Sequence, residues 1–432
     1  HVQDNLFTCS QDTQEKMKQV IQEKGINRVV VASCSPRTHE PLFQQTIREA
    51  GLNTYLFDMA NIRDQDTWVH QGNPEKATSK AKDLVRMAVA RVSLLEPLHK
   101  VSFGLKKTAL VVGGGVAGMT AALNLAQQGY EVKLIEKTDT LGGNARRLRY
   151  TWKGEDIQAY LRDLIAKVRS HPKIQVHFNT EVGHGSGFVG NYTTVLYKED
   201  GETLQYEHGV AILATGAQEW QPDVYGYGQD PRIMTALELD QAITAGDPKV
   251  TGAQTAVFIQ CVGSREPERP YCSKVCCTHS VESALALKQL NPEMDIFILY
   301  RDIRTFGVRE DLYREARDKG VFFIRFDLEN KPEVQMTGEK LTVTVIDHVL
   351  GQPLTLPADL LTLATAIVPN PAKELVEAYK ISLNSEGFLL EAHMKLRPVD
   401  FTTEGIYLCG LAHYPKPIDE SIAQAQAAAG RA

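Results

Sequence analysis

Ala109-Leu110-Val111-Val112-Gly113-Gly114-Gly115-Val116-Ala117-Gly118-Met119 is the stretch from which the rest of the chain is read. Four apolar residues make a buried strand, and the glycines break it into a tight turn. A helix is expected from Met119 to Gln128, with Gly129 as its stop signal. Val132-Lys133-Leu134-Ile135 is a second strand, and it ends in Glu136. This is a strand–helix–strand unit of about 30 residues, the length a dinucleotide fingerprint needs. The glycines divide the work between them. Gly113 turns the chain out of the strand, Gly115 lets backbone approach a pyrophosphate, and Gly118 lets the helix pack close to the sheet. The helix N-terminus directs free N–H groups at phosphates, and Glu136 is placed to accept hydrogen bonds from an adenosine ribose.

Working outward, three further stretches point to FAD rather than NAD. Leu141-Gly142-Gly143-Asn144-Ala145-Arg146 resembles the second phosphate and flavin contact of flavoproteins with two dinucleotide-binding domains. Ala211-Ile212-Leu213-Ala214-Thr215-Gly216-Ala217 resembles their Ala-Thr-Gly strand end. Thr403-Glu404-Gly405-Ile406-Tyr407-Leu408-Cys409-Gly410 resembles their last FAD motif, except that Leu411 stands where an Asp normally binds the ribitol. A helix from about Ile418 to Ala429 would aim its N-terminus at the flavin, and Lys416 just ahead of it would favour negative charge on a reduced ring. The contacts implied for FAD are Gly113, Gly115, Val116, Ala117, Gly118, Glu136, Lys137, Gly143, Asn144, Val182, Ala214, Thr215, Gly216, Gly410, Lys416 and Ile418.

A second strand of this kind, Ala256-Val257-Phe258-Ile259-Gln260, runs into cysteines instead of glycines. Cys261, Cys272, Cys276 and Cys277 have the spacing C-x10-C-x3-C-C. Four thiolates complete the ligand set of a cubane iron–sulfur cluster. Structural zinc sites prefer paired C-x2-4-C knuckles, which this spacing fits poorly. Zinc, a redox dithiol and buried inert thiols stay open as alternatives. Only Gly263 remains of a glycine fingerprint, so a nicotinamide pyrophosphate would lose its cradle. Tyr300-Arg301-Asp302, at the next strand end, sits where a reader of a ribose or 2′-phosphate would stand, which leaves residual NAD(P) binding open.

The remainder of the 432 residues is ordinary globular protein, 43% hydrophobic and 23% charged. A net charge of −6 gives no reason to expect nucleic acid or an anionic membrane. No uncharged apolar run approaches the roughly 18 residues of a membrane helix. His1-Val2-Gln3-Asp4 lacks the apolar core of a signal peptide. Seven cysteines, four of them within 261–277, then suggest reduced thiols in metal or redox work and a cytoplasmic setting. The fold class expected is α/β: a thioredoxin-reductase-like flavoprotein of two dinucleotide-binding domains behind a small N-terminal α/β domain. The divisions are 1–98 for that domain and its connector helix, 99–250 for the first part of the FAD domain, 251–358 for the cysteine-bearing domain, and 359–432 for completion of the FAD domain. The connector helix, near 75–95, would bury Leu84, Val85, Ala88, Val89, Val92 and Leu95.

Two blocks carry a resemblance that covers nearly the whole chain. Phe258-Ile259-Gln260-Cys261-Val262-Gly263-Ser264-Arg265 with Tyr271-Cys272-Ser273-Lys274-Val275-Cys276-Cys277-Thr278-His279 resembles the A subunit of heterodisulfide reductase. So do Val30-Val31-Ala32-Ser33-Cys34-Ser35-Pro36-Arg37-Thr38-His39-Glu40-Pro41 and Met59-Ala60-Asn61-Ile62-Arg63. The resemblance implies a thioredoxin-reductase-like FAD core with Cys261, Cys272, Cys276 and Cys277 as ligands of a [4Fe-4S] cluster. It also implies partners: other subunits of a heterodisulfide-reductase-like complex and ferredoxin-type carriers, between which the flavin splits or merges electron pairs. The C-x2-C-x2-C ferredoxin modules common in that family are absent from these residues, so the sequence reads as a truncated piece or a short relative. Cys9 and Cys34 resemble cysteines of the family's N-terminal region, as ligands of another cluster or as plain thiols. The reading is an oxidoreductase subunit that relays electrons. Its alternatives are an NAD(P)H-dependent disulfide oxidoreductase using Cys272 and Cys276 as a redox pair, and a scaffold with vestigial flavin binding.

Overall fold

The computed structural model describes residues 1–338 and 340–432, which fold as two units, 1–103 and 104–432. In the first unit, two parallel strands, Val29–Ser33 (β1) and Phe57–Asn61 (β2), are flanked by helices Gln11–Lys24 (α1), Pro36–Glu49 (α2) and Pro74–Ser93 (α3). Proline opens α2 and α3 because its fixed φ and missing N–H suit the first helical position. Ile21, Val31, Phe43, Ile47, Phe57 and Met59 form the core. Arg28 donates to the carbonyls of Val92 and Leu95 and so satisfies the end of α3. Of the stripe expected on α3, Ala88 and Val92 are buried but Val89 is 50% exposed. A two-stranded sheet covers only a narrow band of a helix.

The second unit contains two parallel five-stranded sheets. The first has Thr108–Val112 (β3) at its centre, beside Glu131–Ile135 (β4) and then Ile174–His177 (β5) on one side. Val210–Leu213 (β9) and Ile406–Leu408 (β20) complete the other side, in the order β20-β9-β3-β4-β5. Helices Val116–Gln127 (α4), Ile157–Ser170 (α5) and Ile418–Arg431 (α11) pack their buried alanines, leucines and valines on this sheet. An antiparallel meander of Thr180–Phe188 (β6), Asn191–Lys198 (β7) and Thr203–His208 (β8), with Lys373–Tyr379 (α10), covers its other face.

The second sheet runs Ile233–Thr235 (β11), Leu360–Thr365 (β18), Thr255–Val262 (β12), Asp295–Tyr300 (β13) and Val321–Arg325 (β14). Ala236–Ala245 (α6), Pro248–Thr251 (α7), Cys276–Leu290 (α8) and Glu310–Asp318 (α9) accompany it. A three-stranded meander packs against it: Glu333–Thr337 (β15), Lys340–Asp347 (β16) and Gln352–Pro357 (β17). The chain passes between the two sheets through one antiparallel pair, Ala217–Glu219 (β10) with Ile367–Pro369 (β19). Helix α8 begins at Cys276, so two cysteines occupy its first turn. The division expected between 358 and 359 falls later in the chain. Strand 360–365 belongs to the cysteine-bearing sheet, and the chain crosses back only at Ile367.

Candidate functional site

The glycine turn after β3 is shaped by contact from behind. Gly113 has φ +111°, and a Cβ there would stand 2.2 Å from the carbonyl oxygen of Ala214. A Cβ on Gly118 would stand 1.8 Å from the carbonyl oxygen of Gly113. Gly115 is different, because nothing lies within 4 Å of where its Cβ would be. It is also the N-cap of α4 and offers no side chain, so the first N–H groups of that helix remain free to meet an anion. This turn borders a cleft of about 300 Å³. Gly113, Gly115, Val116, Ala117, Glu136 and Lys137 line one end of the cleft. Gly143, Asn144, Ala214, Thr215, Gly216, Gly410, Lys416 and Ile418 line the rest. Gly118 lies behind the turn, and Val182 is 6% exposed in the core under the meander; neither lines the cleft.

Glu136 accepts from the N–H of Gly114 at 2.8 Å and from the N–H and hydroxyl of Thr138, each at 2.9 Å. Two carboxylate oxygens carry about four lone pairs, so acceptor capacity for a ribose remains. At the far end Lys416 Nζ donates to the carbonyl of Gly410 at 2.8 Å and to Gln424 Oε1 at 2.7 Å. Burial disfavours its charged form and pulls its pKa down to about 8. Leu411, the residue in place of Asp, joins an apolar group with Tyr271, Phe388 and Tyr414.

Beyond Lys416 the cleft opens into a second cavity of about 150 Å³, sharing Asn144, Leu148, Leu411, Lys416 and Ile418. Tyr150, Trp152, Leu237 and Val275 supply apolar walls, and Cys276 reaches its surface. Four buried polar atoms on this lining have no hydrogen-bond partner among the described residues: Glu219 Oε2, Glu282 Oε1, Thr278 Oγ1 and Thr365 Oγ1. Buried polar atoms are normally paired, so such a group points to a missing guest. His279 Nε2 sits 3.0 Å from Asp240 Oδ2. Burial opposes its charge, but Asp240 outweighs burial and lifts its pKa to about 9.

The cysteines surround an irregular loop at the end of β12. The strand shifts register between Ile259 and Val262, and three non-glycine residues adopt left-handed backbone: Cys261 (φ 60°), Arg265 (φ 58°) and Lys274 (φ 62°). Such conformations cost about 1–3 kcal/mol each and persist where surrounding structure imposes them. Arg301 braces the 261–265 part of this loop. It is 9% exposed and donates to the carbonyls of Ser264 at 2.5 Å and Arg265 at 2.8 Å. Asp302 pairs with Arg265 at 2.6 Å. Arg301, considered above with its neighbours as a reader of a ribose or 2′-phosphate, is therefore turned inward to brace the cysteine loop, while Asp302 stays exposed and pairs with that loop from outside.

All seven cysteines are free thiols. Burial, then the charges of Cys277, Cys261 and Cys272, pushes Cys276 far above the ordinary thiol range. Cys277 is pushed up to about 11, first by burial and also by Cys261 and Cys272. Cys276 and Cys277 thus sense the other thiols, and a cation among the four would favour their thiolate forms. Cys276 and Cys277 sit at the N-terminus of a 15-residue helix, whose dipole favours negative sulfur. The N–H of Lys274 points at Cys272 Sγ at 3.3 Å. Among the described residues no three His, Cys, Asp or Glu side chains converge as the ligands of a single metal ion do. A cubane makes a different demand, since each of its four thiolates binds its own iron.

Sequence reasoning missed Glu219, Glu282, Arg309 and Trp152 as neighbours of this cavity. Glu282 had a signal: it is the lone acid between Val281 and Ala284 on a helix otherwise buried on most sides. Trp152 and Arg309 had none, because they meet across 157 positions of sequence, the guanidinium 5.5 Å from the ring centre.

A profile for pyridine nucleotide-disulphide oxidoreductases matches residues 107–259. The A subunit of the H(2):CoB-CoM heterodisulfide,ferredoxin reductase of Methanothermobacter marburgensis is 35% identical, over 99% of this chain and 79% of that protein. The second iron-sulfur A subunit of the CoB--CoM heterodisulfide reductase of Methanopyrus kandleri is likewise 35% identical, over 99% of this chain and 79% of its own length. Among solved structures, T. acidophilum thioredoxin reductase superposes with a TM-score of 0.53 at 15% identity, covering 75% of this chain and 96% of that one. That likeness establishes the thioredoxin-reductase-like fold expected from sequence.

Proposed function

The chain belongs to the A-subunit family of heterodisulfide reductases and is an oxidoreductase, and from that premise we propose that it relays electrons between FAD and a [4Fe-4S] cluster. The observation that carries the proposal is the position of Cys276, which lines the cavity into which the glycine-bounded cleft opens. FAD supplies exchange of electrons singly or in pairs, and the cluster supplies single-electron exchange. The α4 N-terminus and Gly115 would hold the pyrophosphate, Glu136 the adenosine ribose, and Gly410, Lys416 and Ile418 the flavin end. Cys261, Cys272, Cys276 and Cys277 would hold the cluster, with Arg301 and Arg265 keeping their loop in its left-handed conformation. Tyr150, Trp152 and Leu237 give the space between an apolar side.

The competing reading, an NAD(P)H-dependent disulfide oxidoreductase with Cys272 and Cys276 as its redox pair, is weakened by two features. The glycine cradle for a nicotinamide is replaced by cysteines, and Arg301 with Asp302 is committed to the loop.

The finer assignments extend this reading. The relatives' names join a heterodisulfide to ferredoxin in one and describe the other as iron-sulfur protein. We take this chain's partners to be the other subunits of such a complex and ferredoxin-type carriers in the cytoplasm. Flavin-based bifurcation between ferredoxin and a disulfide is the activity proposed for the whole. Anaerobic purification with iron and sulfide assay, and paramagnetic resonance of the dithionite-reduced protein, test the core claim. Four irons and four sulfides per FAD are expected; stoichiometric zinc without iron refutes it.

A further inference from the structure

The cavity beside Cys276 holds two part-buried carboxyls, each with one buried oxygen, and a neutral ring alone does not account for them. Glu282 enters it from α8 and Glu219 from β10, each with an oxygen that has no hydrogen-bond partner among the described residues. The two differ in their company. Glu219 Oε1 receives the N–H of Leu237 at 3.5 Å, and Arg147 lies 3.6 Å from Oε2; burial still raises its pKa, but these neighbours oppose the rise. Glu282 Oε1 has no such donor.

The proposed electron donor explains the need for an acid. A nicotinamide transfers hydride, which carries both electrons to the flavin in one bond with hydrogen. An iron–sulfur cluster delivers electrons singly and brings no hydrogen. A protein that has exchanged its nicotinamide cradle for a cluster must therefore provide the proton separately. We propose that Glu282 is the general acid of the flavin site, giving its proton to the ring as two electrons arrive from the iron–sulfur side. The inference rests on the FAD and cluster reading above. In balance, oxidised flavin gains two electrons from reduced iron–sulfur carriers, the Glu282 O–H bond breaks, and an N–H bond forms on the ring. Glu282 is left as carboxylate until solvent returns a proton.

The charged surroundings support this role. Acting on Glu282 are His279 on its own helix, Asp240 from α6, Arg309 ahead of α9 and Asp419 in the first turn of α11, while Glu219 from β10 and Lys416 ahead of α11 line the same cavity. Burial outweighs the cations His279 and Arg309, and Glu282 is pushed up to about 7. A general acid works best when it exchanges its proton near the operating pH.

The test is rapid-mixing reduction of the FAD-loaded full chain across neutral pH, with two donors. Dithionite supplies electrons without hydrogen, and a small synthetic dihydronicotinamide supplies hydride. Glu282→Gln is expected to slow the dithionite reaction by ~10²-fold and abolish its acceleration below about pH 7. The hydride reaction is expected to be unchanged, and Glu282→Asp to restore much of the lost rate. A Gln variant with the wild-type rate and pH profile overturns the proposal. Equal slowing with both donors also overturns it, by marking a structural role. Wild-type protein that stays colourless after FAD addition is a separate outcome: it removes the FAD reading, and this inference with it.

Discussion

Arg301 Nη2 stands 2.5 Å from the carbonyl oxygen of Ser264, tying the end of β13 to the loop that begins at Cys261. Thirty-seven residues separate the two in sequence, yet the contact fixes the start of the cysteine loop to the neighbouring strand. An arginine that would otherwise face a ligand beyond the strand ends is spent on holding cysteines in place.

Replacing it should separate the two cofactors. Arg301→Met leaves the carbonyls of Ser264 and Arg265 without their buried donor, at a cost of about 3 kcal/mol. Iron and sulfide per protein should fall steeply while FAD binding, built on the other sheet, persists. Parallel metal analysis and flavin absorbance check this, and loss of both together would contradict it.

The glycines allow ligand and packing effects to be told apart. Gly115→Ala meets open space in the protein, so its unfolding temperature should not change. The new methyl would occupy the approach to the pyrophosphate, and FAD affinity should fall by ~10-fold or more, about 1.4 kcal/mol. Gly118→Ala collides with the carbonyl of Gly113 and should cost about 1–3 kcal/mol of stability before any ligand is added. Thermal unfolding and flavin titration of the two variants should give opposite patterns.

The cysteines should act as a set. Cys276→Ala and Cys272→Ala are each expected to remove most of the iron, because a cubane that loses a thiolate loses a ligand from one iron. Cys409→Ala should retain the iron; that thiol is buried beside the flavin end and its pKa is pushed up to about 12 by burial. Visible spectra and iron assay of the three anaerobically purified variants decide the matter.

Acid sensitivity should arise in part at His208. Its Nδ1 donates to the carbonyl of Val210 at 2.9 Å, leaving Nε2 to accept from Thr194 Oγ1 at 2.8 Å. Burial disfavours the charged ring, outweighs the Val210 hydrogen bond, and lowers its pKa to about 4 against 6.5 when unfolded. The unfolded chain binds the proton first, so this stability is complete above about pH 6.5. It is lost as pH falls towards 4, up to ~3 kcal/mol. Urea midpoints at several pH values should fall more gently in His208→Gln than in wild type.

Much of this is legible in the order of residues. The run from Ala109 to Gly118, with Glu136 at the next strand end, reads as a dinucleotide turn because strand, glycines, helix and acid are consecutive and each obeys a local rule. The cysteine spacing is local in the same way. Three things were not legible: that α8 begins at Cys276, that Arg301 turns inward, and that Val89 is left exposed. Each depends on a neighbour that the adjacent residues do not specify.

Family and α/β class followed from sequence alone, because short-range sterics and periodicity write them into contiguous segments. Only tertiary packing decided that Glu219, Glu282, Trp152 and Cys276 share one cavity with the flavin end of the cleft. Those side chains are spread from position 152 to position 282, and the cavity exists only where the two sheets and their helices close on one another.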